Sequence, residues 1–365
     1  MENLTYETVR VDQKPTEHQI FFAKDYGHII RIDNVSHEIA KNLKEQSEGN
    51  TWFSREINMK DDKTQFDTLP EDAKRAFKLN IIYQTLMDSG VTAGITDAIL
   101  GVTTTPIWDI LYRRIAIEET IHAESYSYCL NEVFGSETSD IIDLIYTDSM
   151  VQTRMQDEAA LFKKLYLLRD GENLAEKQAA LLETLIALYS LESIKFPFSF
   201  FVTFSINDSY NNAIPGFVQN IRLIAHDELN THVPTGIAVM RILRDEAYQG
   251  FGEFFQSQGE EPSFFEKTVI NTVEKVVEQE LLWAKYLFEG RDVKGLNERI
   301  AEYFIKWRAN LSLEKLGISQ NRYTEYKENA ITTFFNNYRD INKHNSALQE
   351  VSNTAYQKGQ IKNDL

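Results

Sequence analysis

One cysteine, seven prolines and 16 glycines in 365 residues are few, and each scarcity closes off a class of protein. A lone Cys129 allows no intramolecular disulfide and no Cys-rich zinc or iron–sulfur site. So few turn-forming residues favour long helices over turn-rich sheets. Basic residues are also short: 38 Lys and Arg stand against 55 Asp and Glu, a net charge of −17. Non-specific binding to nucleic acid or to an anionic membrane needs a basic face, so neither is expected. No unbroken apolar run reaches the roughly 18 residues of a membrane span. The start, MENLTYETVR, lacks the basic opening and apolar stretch of a secretory signal. The expectation is a soluble, acidic, cytoplasmic protein, long enough for one large domain or two ordinary ones.

What is present is helical periodicity. From about Glu71 to Gly290, apolar residues recur at i, i+3, i+4 and i+7. The pattern predicts a first long helix over Glu71–Leu100, with Phe77, Ile81, Tyr83 or Gln84, Met87 and Val91 facing inward. A second opens at Thr105-Pro106 and stops at Gly135. A third runs from Thr138-Ser139 to Asp170-Gly171, and a fourth from Asn173 past Phe200. A fifth follows Pro215-Gly216 and ends near Arg244; a sixth opens on the capping-box pattern Ser263 to Glu266 and ends at Gly290; a last one covers Leu296–Leu316. Strand-like alternation is nearly absent, so the fold expected is an all-α bundle. One domain is expected over residues 1–342, its first 30 or so irregular, followed by a polar, mobile tail over 343–365.

Ionisable residues interrupt the apolar helix faces. In Ile117-Glu118-Glu119-Thr120-Ile121-His122-Ala123-Glu124-Ser125-Tyr126, Glu119, His122 and Tyr126 lie within about 60° of one another around a helix. Taken alone, this run reads more simply as an exposed acidic face. The fifth helix repeats the pairing with Glu228 and His232, and single carboxylates, Asp88 and Glu192, end apolar stretches of the first and fourth. An interior ion pair with Lys195 would account for Glu192 by itself. The set shifts the balance: two helices give one carboxylate each, and two give a carboxylate and a histidine. Four carboxylates and two imidazoles are the ligand set of a dinuclear iron or manganese centre in a four-helix bundle.

YQTLMDS around Asp88, EETIHAESY over 118–126, LESIKFPFSF around Glu192 and IRLIAHDELNTH over 221–232 resemble the small, radical-generating subunit of class I ribonucleotide reductase. The resemblance covers roughly Trp52 to Gly290 and a short tail. It implies a ferritin-like bundle in which Asp88, Glu119 and His122 bind one metal ion. Glu192, Glu228 and His232 bind the other, with Glu119 and Glu228 bridging. It implies two Fe ions, Mn being the alternative, and a stable radical on Tyr126 walled by Phe196, Phe200 and Ile224. Trp52, with Asp227 linking it to His122, and Tyr356 in the tail would relay the radical to a large catalytic subunit on which the tail docks. A homodimer is implied as well. A self-contained di-iron oxidase or oxygenase, and a ferritin-like iron-binding protein, are the rival readings. Tyr126 and the Tyr-bearing tail weigh against the first; a chain of this length with a polar tail weighs against the second.

Two positions depart from the family's pattern. The second paired motif is Glu228-x-x-x-His232, one residue longer than Glu-x-x-His, which predicts a π-bulge or kink over Leu229–Pro234. His226 is the rival ligand, placed where relatives often carry Arg. Pro197 falls inside the fourth helix, where it frees the carbonyl of Ser193 and predicts a kink or widening just after Glu192. Freedom there would suit a carboxylate that changes its coordination.

Overall fold

The computed structural model describes residues 14, 19–23, 26–27, 29–30, 37–245, 250–256, 262–319 and 321–341. Among these no strand occurs; two isolated β-bridges join Phe21 to Thr103 and Val293 to Leu296. The main helices are α1 (Glu38–Gly49), α2 (Glu71–Gly94), α3 (Pro106–Phe134), α4 (Gln156–Leu168), α5 (Leu174–Ser190) and α6 (Phe196–Ser209). They continue with α7 (Pro215–Asp227), α8 (Val233–Asp245), α9 (Phe264–Phe288), α10 (Glu298–Lys315) and α11 (Ala330–Tyr338). Packing of α2 along α3, α4 along α5, α6 along α7 and α9 along α10 gives an all-helical bundle around one apolar core.

Local chemistry accounts for the helix ends. Pro106 occupies the first turn of α3, and Gly135 ends it at φ 55°, a left-handed conformation that glycine adopts without strain. Thr105 is extended at the N-cap, but its hydroxyl donates to the carbonyl of Gln19 at 2.7 Å and does not cap the helix. Asn173 accepts the Glu176 N–H at 3.2 Å to start α5, and Ser263 with Glu266 closes a reciprocal capping box at the head of α9. The inward stripe of α2 buries Phe77, Ile81, Met87 and Val91, with Tyr83 and Gln84 both inside.

The third expected helix is broken. In place of one helix from Thr138 to Gly171, short turns over Thr138–Ile142, Leu144–Thr147, Ser149–Gln152 and Thr153–Met155 precede α4. Asp148 is extended and its carboxylate accepts the N–H groups of Met150 and Val151, while the Thr147 hydroxyl donates back to the Asp143 carbonyl. Short polar side chains compete here with the backbone ladder and end the helix. The continuous helical run Leu174–Ser209 is long and apolar enough to cross a membrane by composition, a property that counting unbroken apolar runs misses; 94% of its most apolar window is buried inside the bundle, where it serves as core.

Three π-helical turns interrupt this regularity: Ile95–Ile99 after α2, Leu191–Lys195 between α5 and α6, and Glu228–His232 between α7 and α8. The second contains Glu192, and the third opens on Glu228 and closes on His232.

Candidate metal centre

Helices α2 and α3 and the two later π-turns each point acidic or imidazole side chains at one buried locus. Asp88 comes from α2, Glu119 and His122 from α3, Glu192 from the first of those turns, and Glu228 and His232 from the second. Asp88, Glu119, His122 and Glu228 have no exposed surface, and Glu192 and His232 have 2% and 5%. The extra residue between Glu228 and His232 is absorbed by the π-turn itself, which brings His232 Nδ1 to 2.7 Å from Glu228 Oε2. The Pro197 expectation also materialises as a π-turn: the Ser193 carbonyl accepts the Arg308 Nε–H at 2.8 Å.

Two overlapping groups emerge. Ligand-type atoms of Glu119, Glu192, Glu228 and His232 all lie within 4.8 Å of one another, as do those of Asp88, Glu119 and His122. Glu119 belongs to both. Glu228 lies between the imidazoles, its other oxygen 3.1 Å from His122 Nδ1.

Many polar atoms of this interior lack a well-formed hydrogen bond of their own. Both oxygens of Asp88, Glu119 and Glu228, Oε2 of Glu192, and Nδ1 of His122 and of His232 are buried and make no hydrogen bond of good angle, the imidazoles and carboxylates being close but misaligned. Native interiors tolerate few such groups, because each costs about 1–3 kcal/mol and charged ones more. Here they converge on one spot and are the donor atoms that hard divalent ions take. The residues therefore fit a dinuclear centre.

The electrostatics show the same strain. Burial, then the Glu119 charge, pushes Asp88 well above the usual carboxylate range; burial, then Glu228 and Glu119, does so for Glu192. Burial disfavours charge on Glu228 too, but His232, Glu192 and His122 outweigh it and hold that carboxyl below the ordinary range. Both histidines are raised well above their usual value, since the facing carboxylates outweigh desolvation. Without metal, protons do the work of cations here.

Around the cluster, Tyr126 is fully buried beside Asp88, and burial followed by the Asp88 charge raises its phenol well above the normal tyrosine value. Trp52 donates its indole N–H to Asp227 Oδ2 at 2.8 Å, and that same oxygen lies 3.2 Å from His122 Nε2. The Trp52 and His122 rings stack at 6.0 Å. Phe196, Phe200 and Ile224 are fully buried, the two phenyl rings stacked at 5.9 Å. A cavity of ≈ 20 Å³, room for about one water, adjoins Glu192 and His232.

Two alternative pairings are not seen among the described residues. Lys195 donates to Glu158 at 2.6 Å and to the Arg154 carbonyl, so it is not the partner of Glu192. His226 is half-buried, pairs with Asn230 at 2.8 Å, and stands in neither ligand group. Tyr356 and the tail lie outside the described residues. One residue escaped the sequence reading: Glu118 is buried, 3.0 Å from His232 Nε2. Its signal was available, because Glu118 precedes Glu119 as Asp227 precedes Glu228.

With this geometry in place, similarity to known proteins is informative. The β subunit of ribonucleoside-diphosphate reductase from Buchnera aphidicola subsp. Baizongia pistaciae is 26% identical, over 99% of this chain and 97% of its own length. The β subunit of ribonucleoside-diphosphate reductase 1 from Salmonella typhimurium is 25% identical, over 99% of this chain and 96% of its own length. The fold is shared with the ribonucleotide reductase R2 subunit from Clostridium botulinum (TM-score 0.74, 20% identity, 88% of this chain and 94% of that one). It is shared too with the dimanganese(II) NrdF of Streptococcus sanguinis (TM-score 0.65, 19% identity, 85% and 99%). The profile "Ribonucleotide reductase, small chain" matches residues 30–330, most of the sequence, and the chain belongs to that family.

Proposed function

We propose that this small subunit of ribonucleoside-diphosphate reductase generates a radical on Tyr126 and lends it to a large catalytic subunit that reduces ribonucleotides to deoxyribonucleotides. The observation that carries the reading is the convergence of Asp88, Glu119, His122, Glu192, Glu228 and His232, most of their inward-facing atoms without a well-formed hydrogen bond, beside a fully buried phenol. Two ions bound there, Fe or alternatively Mn, would supply one-electron oxidising power through their reaction with O2.

The chain's own residues do the rest. Oxidising Tyr126 removes one electron, taken up by the metal centre, and the phenolic proton; with metal bound, the Asp88 carboxylate beside the ring would be ionised and placed to receive that proton. Phe196, Phe200 and Ile224 exclude water and reductants from the ring. Asp227 fixes the tautomer of His122 and ties it to Trp52, so the ligand shell and an oxidisable indole share one hydrogen-bonded line. The hole would leave along that line and reach the large subunit through Tyr356, with residues 343–365 docking there. The cavity beside Glu192 would leave that carboxylate room to move if bound metal required it. Assembly as a homodimer and a cytoplasmic location complete the proposal.

The test is electron paramagnetic resonance after Fe(II) and air are added to metal-free protein. A tyrosyl signal that Tyr126→Phe abolishes is expected. Iron oxidation with no radical would favour a self-contained di-iron oxidase or an iron-binding protein. Deleting the chain after Gln349 should abolish reduction by the two-subunit enzyme and leave the radical intact.

A further inference from the structure

The two imidazoles of the cluster are held alike, and only one holder has a role so far. Each turns Nδ1 toward the carboxylates and Nε2 away from them. Behind His122 Nε2 stands Asp227, the residue before Glu228; behind His232 Nε2 stands Glu118, the residue before Glu119. Each helix of the pair thus supplies a ligand to the centre and a carboxylate backing the other helix's histidine. A carboxylate that is 2% exposed is costly unless its lone pairs are met. The Ser47 hydroxyl donates to Glu118 Oε1 at 2.6 Å, leaving Oε2 for His232. Arg114 donates its Nε–H to Ser47 Oγ at 2.9 Å and bonds Thr51, with its guanidinium 3.7 Å from Glu118. Helix α1 brings Ser47 to this spot, which gives that helix a part in the site.

We infer that Glu118, braced by Ser47 and Arg114, is the positioning residue for His232 and makes the second metal position a carboxylate–imidazole pair equivalent to Asp227–His122. The inference rests on the dinuclear reading above. An imidazole whose Nε2–H donates to a carboxylate keeps its Nδ1 lone pair free for a metal, and the negative partner makes that nitrogen a stronger ligand. The two lines differ at their far ends. The Asp227 line ends on the Trp52 indole, which can be oxidised; the Glu118 line ends on a hydroxyl and a guanidinium, which resist it. Glu118 therefore holds its histidine without opening a second exit for the hole.

The experiment is anaerobic titration of the metal-free protein with Co(II), followed by visible ligand-field absorption and equilibrium dialysis. The unmutated chain should take up two ions. In Glu118→Ala one ion should bind as before, while the other weakens by about 10–100-fold with altered absorption bands. Glu118→Gln, which keeps an acceptor but not the charge, should fall between. Asp227→Asn should weaken the opposite ion. A role in folding alone would lower the melting temperature of metal-free protein and leave both affinities unchanged. If Glu118→Ala does not fold, Ser47→Ala tests the same line from its outer end, with a smaller loss confined to one ion. Two ions bound with unaltered affinities and spectra in these variants overturn the inference. Fewer than two ions in the unmutated chain would overturn the dinuclear reading itself, and the two failures are told apart by the chain in which they occur.

Discussion

Lys195 puts an ammonium in the middle of an apolar helix with no exposed surface. Burial lowers its pKa, and Glu158 opposes that through a 2.6 Å charge-assisted bond. The pairing matters to the centre because it occupies the one cation near enough in sequence to have neutralised Glu192. Removing one partner of a buried pair leaves the other charge stranded, at a cost of about 3–5 kcal/mol, whereas removing both is often nearly neutral. Lys195→Met should therefore destabilise the metal-free protein by about that much, and Lys195→Met with Glu158→Gln should recover most of it, as read from urea unfolding. Metal uptake by the folded single variant should stay at its usual stoichiometry. A double variant as unstable as the single would mean that Lys195 contributes by packing and not by charge.

The π-turns make the same argument at the scale of an element. Pro197 cannot donate the N–H that would ordinarily meet the Ser193 carbonyl, and Arg308 donates in its place from α10. Arg308→Met keeps the apolar stem and loses the donor, so a loss of about 1–3 kcal/mol is expected. Pro197→Ala restores a backbone donor near the same carbonyl and should soften that loss. A double-mutant cycle measures the coupling, and strict additivity would show that the carbonyl does not depend on Arg308. This compensation was half legible in the sequence: the proline announces a freed carbonyl, but nothing in a linear pattern says which distant residue fills the gap. The extra residue between Glu228 and His232 was legible, because one residue too many within a helix has few places to go. The clustered carboxylates and histidines themselves stood out as ionisable residues interrupting apolar stripes. Glu118 did not, since one acid among several on a helix looks solvated until α1 is seen covering it. Nor did the break at Asp148, where the apolar pattern continues through a residue that caps the following turn. Periodicity reports which face is buried, and it is blind to side chains that compete for backbone bonds.

At the scale of the whole molecule, the cluster ties stability to both pH and metal. In the metal-free chain His122 and His232 hold their protons well above the ordinary 6.5, and Asp88 and Glu192 hold theirs well above 3.8 and 4.5. The folded state then binds more protons than the unfolded one above each ordinary value, so stability falls as pH rises through that window. For the histidines the stabilisation is complete below 6.5 and drains away at higher pH. Glu228, held low, has the opposite sign, but its share is lost only on acidification below its ordinary 4.5. Metal ions must displace these protons, so binding releases them and tightens as pH rises. The melting temperature of metal-free protein should therefore decline between about pH 6 and pH 9, while that of protein with saturating Mn(II) should decline less or climb. The gap between the two curves should widen with pH; at a free metal concentration 100-fold above Kd, binding contributes about 2.7 kcal/mol per site. Calorimetric titration in buffers of different ionisation enthalpy should show proton release on metal binding. A metal-free protein that grows steadily more stable from pH 6 to pH 9, with no protons released on loading, would mean that the buried carboxylates and imidazoles are not sharing protons in place of cations.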